Sequence, residues 1–189
     1  MECQEIFKAK KYLSRFDEIL CQMANKMLSQ TITNSITINF IECMIPHHQA
    51  AIYMCENLLD YTNCQPLQEI AKNIIEMQTK GIEQMKEIER TTSGYSNSER
   101  DVNCYMSKYF SITRNMICRM KNSPRCININ LNFVNEMIPH HEGAIAMCKN
   151  LLQYCIDPRL KCVAETIIQE QSEGVRQLEE IQKKICKQC

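Results

Sequence analysis

The sequence predicts an all-α protein: an antiparallel helical bundle built from two three-helix repeats related by an approximate twofold axis. Three observations carry this expectation. The chain matches itself without gaps at an offset of 93 residues, Phe40–Ile88 on Phe133–Ile181, with close to half of the aligned positions identical. The match extends weakly upstream, Tyr12 meeting Tyr105, Met23 meeting Met116 and Met27 meeting Met120, so two units fill the chain. Apolar residues recur at helical spacing, and no segment alternates as a half-buried strand does. The expected division is 1–93 for the first repeat and 94–189 for the second. Each copy would expose an apolar helical face, and burying the two against each other gives one fused bundle; two independent units on a linker are the alternative.

Each unit reads as three helices. The first covers roughly Glu5–Leu28 in copy one and Glu99–Met120 in copy two, with Ser98 as N-cap and Asp101 three residues on. The second runs over about 37–59 and 130–152, with Thr37 and Asn130 as candidate N-caps; the β-branched stretch before it, from Thr31, is expected to be loop. The third spans about Pro66–Glu89 and Pro158–Lys184. Asp157 followed by Pro158 is a strong start signal, since Asp caps orphan amides and Pro suits the first helical position. Leu67, Ile70, Ala71, Ile74, Met77, Gln78, Gly81, Met85 and Ile88 form the apolar stripe of the third helix. The polar, glycine-containing Thr91–Ser98 is the link between copies.

Bulk composition narrows the function. Lys plus Arg and Asp plus Glu are 22 each, and no basic run marks a nucleic-acid binder. No apolar run approaches a membrane span. The start, MECQEIFKAKKY, has neither an apolar stretch nor a small-residue cleavage site. Thirteen cysteines, an odd number, on a helical pattern favour reduced thiols, so the expected compartment is the cytoplasm. The expected partner is a metal ion, with no nucleic acid and no membrane, and with room for a homodimer.

The candidate site is the string Met-Ile-Pro-His-His at Met44–His48 and again at Met137–His141. All four histidines of the chain lie there. At about 100° per residue, Met44, His47, His48, Met54 and Cys55 share one helical face, with Ala51 in the middle leaving room. Met137, His140, His141, Met147 and Cys148 repeat the pattern around Ala144. Imidazole and soft sulfur donors on one face are the ligand set that copper(I) and silver(I) prefer, and they disfavour magnesium and calcium. Cys55 and Cys148 are secondary candidates, since a small buried thiol is ordinary core. Pro46 and Pro139 remove backbone hydrogen bonds two turns into the helix and should kink it, leaving the Glu42 and Asn135 carbonyls without their usual donor. Against a metal site stands plain packing, because methionines at helical spacing are more often core filler. Two adjacent histidines diverge by about 100° and would both need buried partners, which packing alone explains less well.

MIPHHQAAIYM and MIPHHEGAIAM, with the downstream LQEIAKNIIEMQTKGIEQM and LKCVAETIIQEQSEGVRQL, resemble the family known as domain of unknown function 305. The resemblance covers about Phe40–Ile88 and Phe133–Ile181. It implies a ferritin-like helical fold. Some members bind copper and many are exported, so it also implies Met/His copper ligands at Met44, His47, His48 and Met54 and at their copy-two equivalents.

Two rival functions remain open at this point. A ferritin-like dinuclear-iron oxidoreductase needs Glu-x-x-His pairs and further carboxylates. The residues three before the histidines are Met44, Ile45, Met137 and Ile138, none acidic; Glu42, Glu76, Glu136 and Glu170 are the remaining carboxylates, and Glu136 stands four before His140. The other rival is a structural bundle with no metal. No catalytic residue is expected. The terminal Cys186-x-x-Cys189 has redox spacing but no βαβ context.

Overall fold

The computed structural model describes residues 2–187, with side chains described over 3–185. Cys189 and the side chain of Cys186 lie outside the described residues. The chain forms six helices: α1 Glu2–Leu28, α2 Ile36–Leu59, α3 Gln65–Thr91, α4 Glu99–Lys121, α5 Ile129–Leu151 and α6 Pro158–Lys187. No strand occurs among the described residues.

The burial pattern follows from the repeat. On α1 the buried stripe is Tyr12, Phe16, Ile19, Met23 and Met27; on α4 it is Tyr105, Tyr109, Met116 and Met120, at matching positions. One side of α3 buries Leu67, Ala71, Ile74, Met85 and Ile88, and the matching side of α6 buries Leu160, Ala164, Ile167, Leu178 and Ile181. These four are one-faced helices with solvated outer sides. α2 and α5 are buried around most of their circumference, which marks them as the interior pair. α2 packs on α1 and α3, and α5 on α4 and α6. The repeat-related helices also meet: α1 with α4, α2 with α5 and α3 with α6. Three layers result, with α2 and α5 in the middle, and the architecture is a ferritin-like antiparallel bundle of two pseudo-twofold-related three-helix repeats. Side chains of both copies share one apolar cluster.

The helix starts correct two expectations. Ser35 and Asn128, not Thr37 and Asn130, cap α2 and α5, their side chains accepting from Ile38 N and Leu131 N. Thr37 lies inside the helix and uses its hydroxyl elsewhere, accepting from the Asp157 amide at 3.1 Å and so tying the start of α2 to the start of α6. Ser98 caps α4 by accepting from Asp101 N. Asp157 accepts from Arg159 N at 2.9 Å, as its place before Pro158 predicts. In the link, Gly94 takes φ 81°, a left-handed conformation that glycine adopts without strain. Asn97 then joins the copies, accepting from Ile36 N at 3.0 Å and donating to Cys155 O at 2.8 Å.

Both signature helices run uninterrupted through Pro46 and Pro139. The Glu42 carbonyl that Pro46 strips of its donor accepts instead from Gln30 Nε2 at 2.8 Å. A side chain from the loop before α2 thereby satisfies a group that would otherwise carry a desolvation cost.

Candidate metal centre

The histidines occupy the centre of the middle layer. His47 on α2 and His140 on α5 stack across the pseudo-twofold axis, with ring centroids 3.7 Å apart and planes 27° from parallel. Each reaches the other's backbone: His47 Nε2 lies 3.3 Å from His140 O, and His140 Nε2 lies 3.2 Å from His47 O. A carbonyl only accepts, so both rings must carry their proton on Nε2. The lone pair is then on Nδ1, and Nδ1 of both rings is buried without a hydrogen-bond partner. A ring that donates one N–H to a carbonyl and presents the other nitrogen is the usual state of a metal-binding histidine.

His48 and His141 flank this pair, their rings 6.0 and 5.9 Å from the neighbouring His47 and His140 rings. They turn outward, to α3 and α6. A Cβ placed on Gly81 would sit 3.0 Å from Nε2 of His48, and one on Gly174 would sit 2.9 Å from Nε2 of His141. Only glycine lets the outer helices come this close to the rings. Nδ1 of both outer histidines is also buried and unpartnered.

Burial holds all four imidazoles neutral. Desolvation, followed by mutual repulsion among the charged forms, pushes His47 and His141 well below the usual range and His48 down to about 3. His140 is pushed to about 4, burial prevailing over its bond to His47. Four neutral rings with a free nitrogen are available as ligands without displacing a proton.

The predicted sulfur donors lie on the same two helices. Met44, Met54, Met137 and Met147 are each at most 1% exposed, as are Cys55 and Cys148. Burial raises both thiols, so they are neutral S–H groups and weak donors as they stand. Among the described residues no three His, Cys, Asp or Glu side chains converge. The four buried thioethers are the remaining soft donors on these two helices. Of the four carboxylates weighed for iron, only Glu136 is buried, while Glu76 is exposed and Glu42 and Glu170 are half-buried.

The family model for the domain of unknown function DUF305 matches residues 15–89 and 111–182. The chain belongs to this family. Both segments contain one signature, as two tandem copies require. Two solved structures are similar. CopM, solved in a silver-bound form obtained by soaking, shares 25% identity with a TM-score of 0.58, over 80% of this chain and 98% of its own. A DUF305 fragment from Deinococcus radiodurans shares 19% identity with a TM-score of 0.58, over 79% of this chain and 96% of its own, and speaks to the fold alone. Among curated proteins none matches the chain.

Two sets of buried polar groups lie outside the predicted ligand set, the second of them weighed in the sequence only as an iron carboxylate. Gln78 and Gln171, repeat equivalents one turn before Gly81 and Gly174, are buried with Oε1 unpartnered. Their signal was a polar residue inside an otherwise apolar stripe, present in both copies. Glu136 is the second. It is fully buried and accepts from Tyr12 Oη at 2.6 Å, while its Oε1 has no partner. Desolvation raises its carboxyl to about 8, outweighing the Tyr12 hydrogen bond and the pull of Arg125.

Proposed function

We propose that the protein binds a soft monovalent metal ion, copper(I) or silver(I), through Met44, His47, His48 and Met54 in copy one and Met137, His140, His141 and Met147 in copy two. Cys55 and Cys148 are secondary donors. The role is buffering or tolerance, a binder without turnover. One observation carries the reading: four buried, neutral imidazoles each leave Nδ1 unpartnered, on the two helices that also bury the four thioethers. Packing offers no reason to bury four unsatisfied nitrogens, each of which costs about 1–3 kcal/mol. The donor chemistry suits soft cations, and the similar CopM was solved with silver bound. The eleven described cysteines are free, which suits a reducing compartment such as the cytoplasm.

The test is an anaerobic copper(I) titration against a chromogenic chelator. Wild type is compared with His47→Ala/His48→Ala and with His140→Ala/His141→Ala, with helicity checked by circular dichroism. Each variant is expected to lose affinity and stoichiometry. Folded variants that bind as wild type does would sink the ligand assignment. Oxygen-dependent colour on iron loading would revive the dinuclear-iron reading.

A further inference from the structure

The outer face of the bundle, where α3 and α6 cross, carries a groove of about 470 Å³ that includes Met77 and Glu76 of α3 and Glu170, Glu173 and Gly174 of α6. The helices run antiparallel here, and Met77 and Glu170 are repeat equivalents, so they approach across the same axis on which His47 and His140 stack. Gly174 joins the groove to the centre. It lacks a side chain, and its backbone lies directly against the Nε2 edge of His141, where even a Cβ would collide at 2.9 Å. His141 is buried and its Nδ1 has no partner. Gln171, one turn back on the same helix, is buried with its Oε1 unpartnered.

The two sides of the axis are unlike. Beside Gly174 the groove carries Glu170 and Glu173, although Glu173 is held by Arg176 at 2.6 Å and by Gln177 at 2.8 Å. At the equivalent place beside Gly81 stands Lys80. A cation nearing the surface is drawn to the Gly174 side and repelled from the Gly81 side. Glu170 and Glu76 form no close ion pair among the described residues, although the Lys80 charge is near enough to offset part of the rise that burial gives the Glu170 carboxyl. Opposite it, Met77 offers a thioether, half-buried in the groove wall.

We propose that this groove is the entry site for the metal: Met77 and Glu170 capture a soft monovalent cation at the surface and hand it to His141 past Gly174. The proposal rests on the metal-binding reading above and adds a route and a first-loaded side. The ion keeps its charge and oxidation state throughout, exchanging water and surface donors for ring nitrogen.

The experiment is stopped-flow transfer of copper(I) from a chromogenic chelator to wild type, to Met77→Leu/Glu170→Gln, and to Glu83→Gln, which changes a carboxylate in the other α3–α6 groove. The double variant is expected to load about five-fold more slowly or worse, with final stoichiometry and affinity unchanged and with Glu83→Gln at the wild-type rate. Loading of the double variant at the wild-type rate would overturn the route while leaving the binding function intact. A fall in its equilibrium stoichiometry would also overturn it, by making these residues part of the holding site. A wild type that takes up no copper(I) would overturn function and route together.

Discussion

Copy one and copy two are near-duplicates where they meet and strangers one turn away. The shared part is a layer through the axis: the stacked histidines, the outer histidines, Gln78 with Gln171, and Gly81 with Gly174. Asn57 donates to Tyr12 O at 3.0 Å, and Asn150 donates to Tyr105 O at 3.1 Å. Position 43, four residues before His47, is a buried cysteine; its equivalent is the buried Glu136. Tyr12 has a carboxyl to donate to, whereas the hydroxyl of Tyr105 is buried without a partner. The copies agree in the histidine layer and differ one turn away from it, which places the constraint on that layer.

The largest expected effect concerns the shared layer. All four histidines have folded-state pKa values below the unfolded value of 6.5, so the unfolded chain binds more protons as pH falls below 6.5. Stability of the metal-free protein is therefore present above 6.5 and is lost toward pH 4. Each ring costs about 2 kcal/mol between pH 6.5 and 5. Glu136, raised from 4.5 to about 8, acts in the opposite direction, as do the more exposed Glu42 and Glu170, whose carboxyls burial also raises. Urea unfolding at pH 7 and pH 5 checks the sum; equal midpoints would contradict four buried neutral rings.

The next effect separates the copies. Tyr12→Phe leaves the Glu136 carboxyl with no partner and should cost about 1–3 kcal/mol. Tyr105→Phe removes a hydroxyl that already lacks one and should be neutral or slightly stabilising. Glu136→Gln should stabilise the protein by about 1–3 kcal/mol at pH 8, where the unfolded carboxyl is fully ionised and the native one is still about half protonated. Its advantage should vanish below pH 4.5. Denaturation curves of the three variants at pH 8 read the difference; equal costs for the two tyrosine variants would erase the asymmetry.

The smallest effect tests the likeness. Asn57→Ala and Asn150→Ala each remove one buried bond to a tyrosine carbonyl and should cost the same, about 1–2 kcal/mol. Thermal unfolding of both suffices, and a twofold disparity would show that the copies carry unequal loads.

Much of this was legible in the sequence, because its signals are local or repeated. The self-match announced the twofold arrangement, the 3.6-residue stripes announced the helices, and Ser98 and Asp157 announced two starts. Thr37 misled because its hydroxyl serves Asp157, a contact 120 residues away in sequence. The rescue of the Glu42 carbonyl by Gln30 was invisible for a similar reason. The wheel put both histidines of each copy on one face. It could not show that His47 and His140 would lock each other's tautomer through reciprocal carbonyls, since that requires knowing that α2 and α5 cross at those residues. Nor could it tell that the glycines of the third helix exist to admit a ring.

The central claim is that the unpartnered ring nitrogens and the buried thioethers hold a soft ion together. X-ray absorption at the copper edge of the copper(I)-loaded protein tests this most directly, on wild type and on His47→Ala/His140→Ala. The account predicts a mixed nitrogen and sulfur shell in wild type and a loss of nitrogen scattering in the variant. A shell of oxygen alone, or a nitrogen shell unchanged by removing both rings, would contradict it.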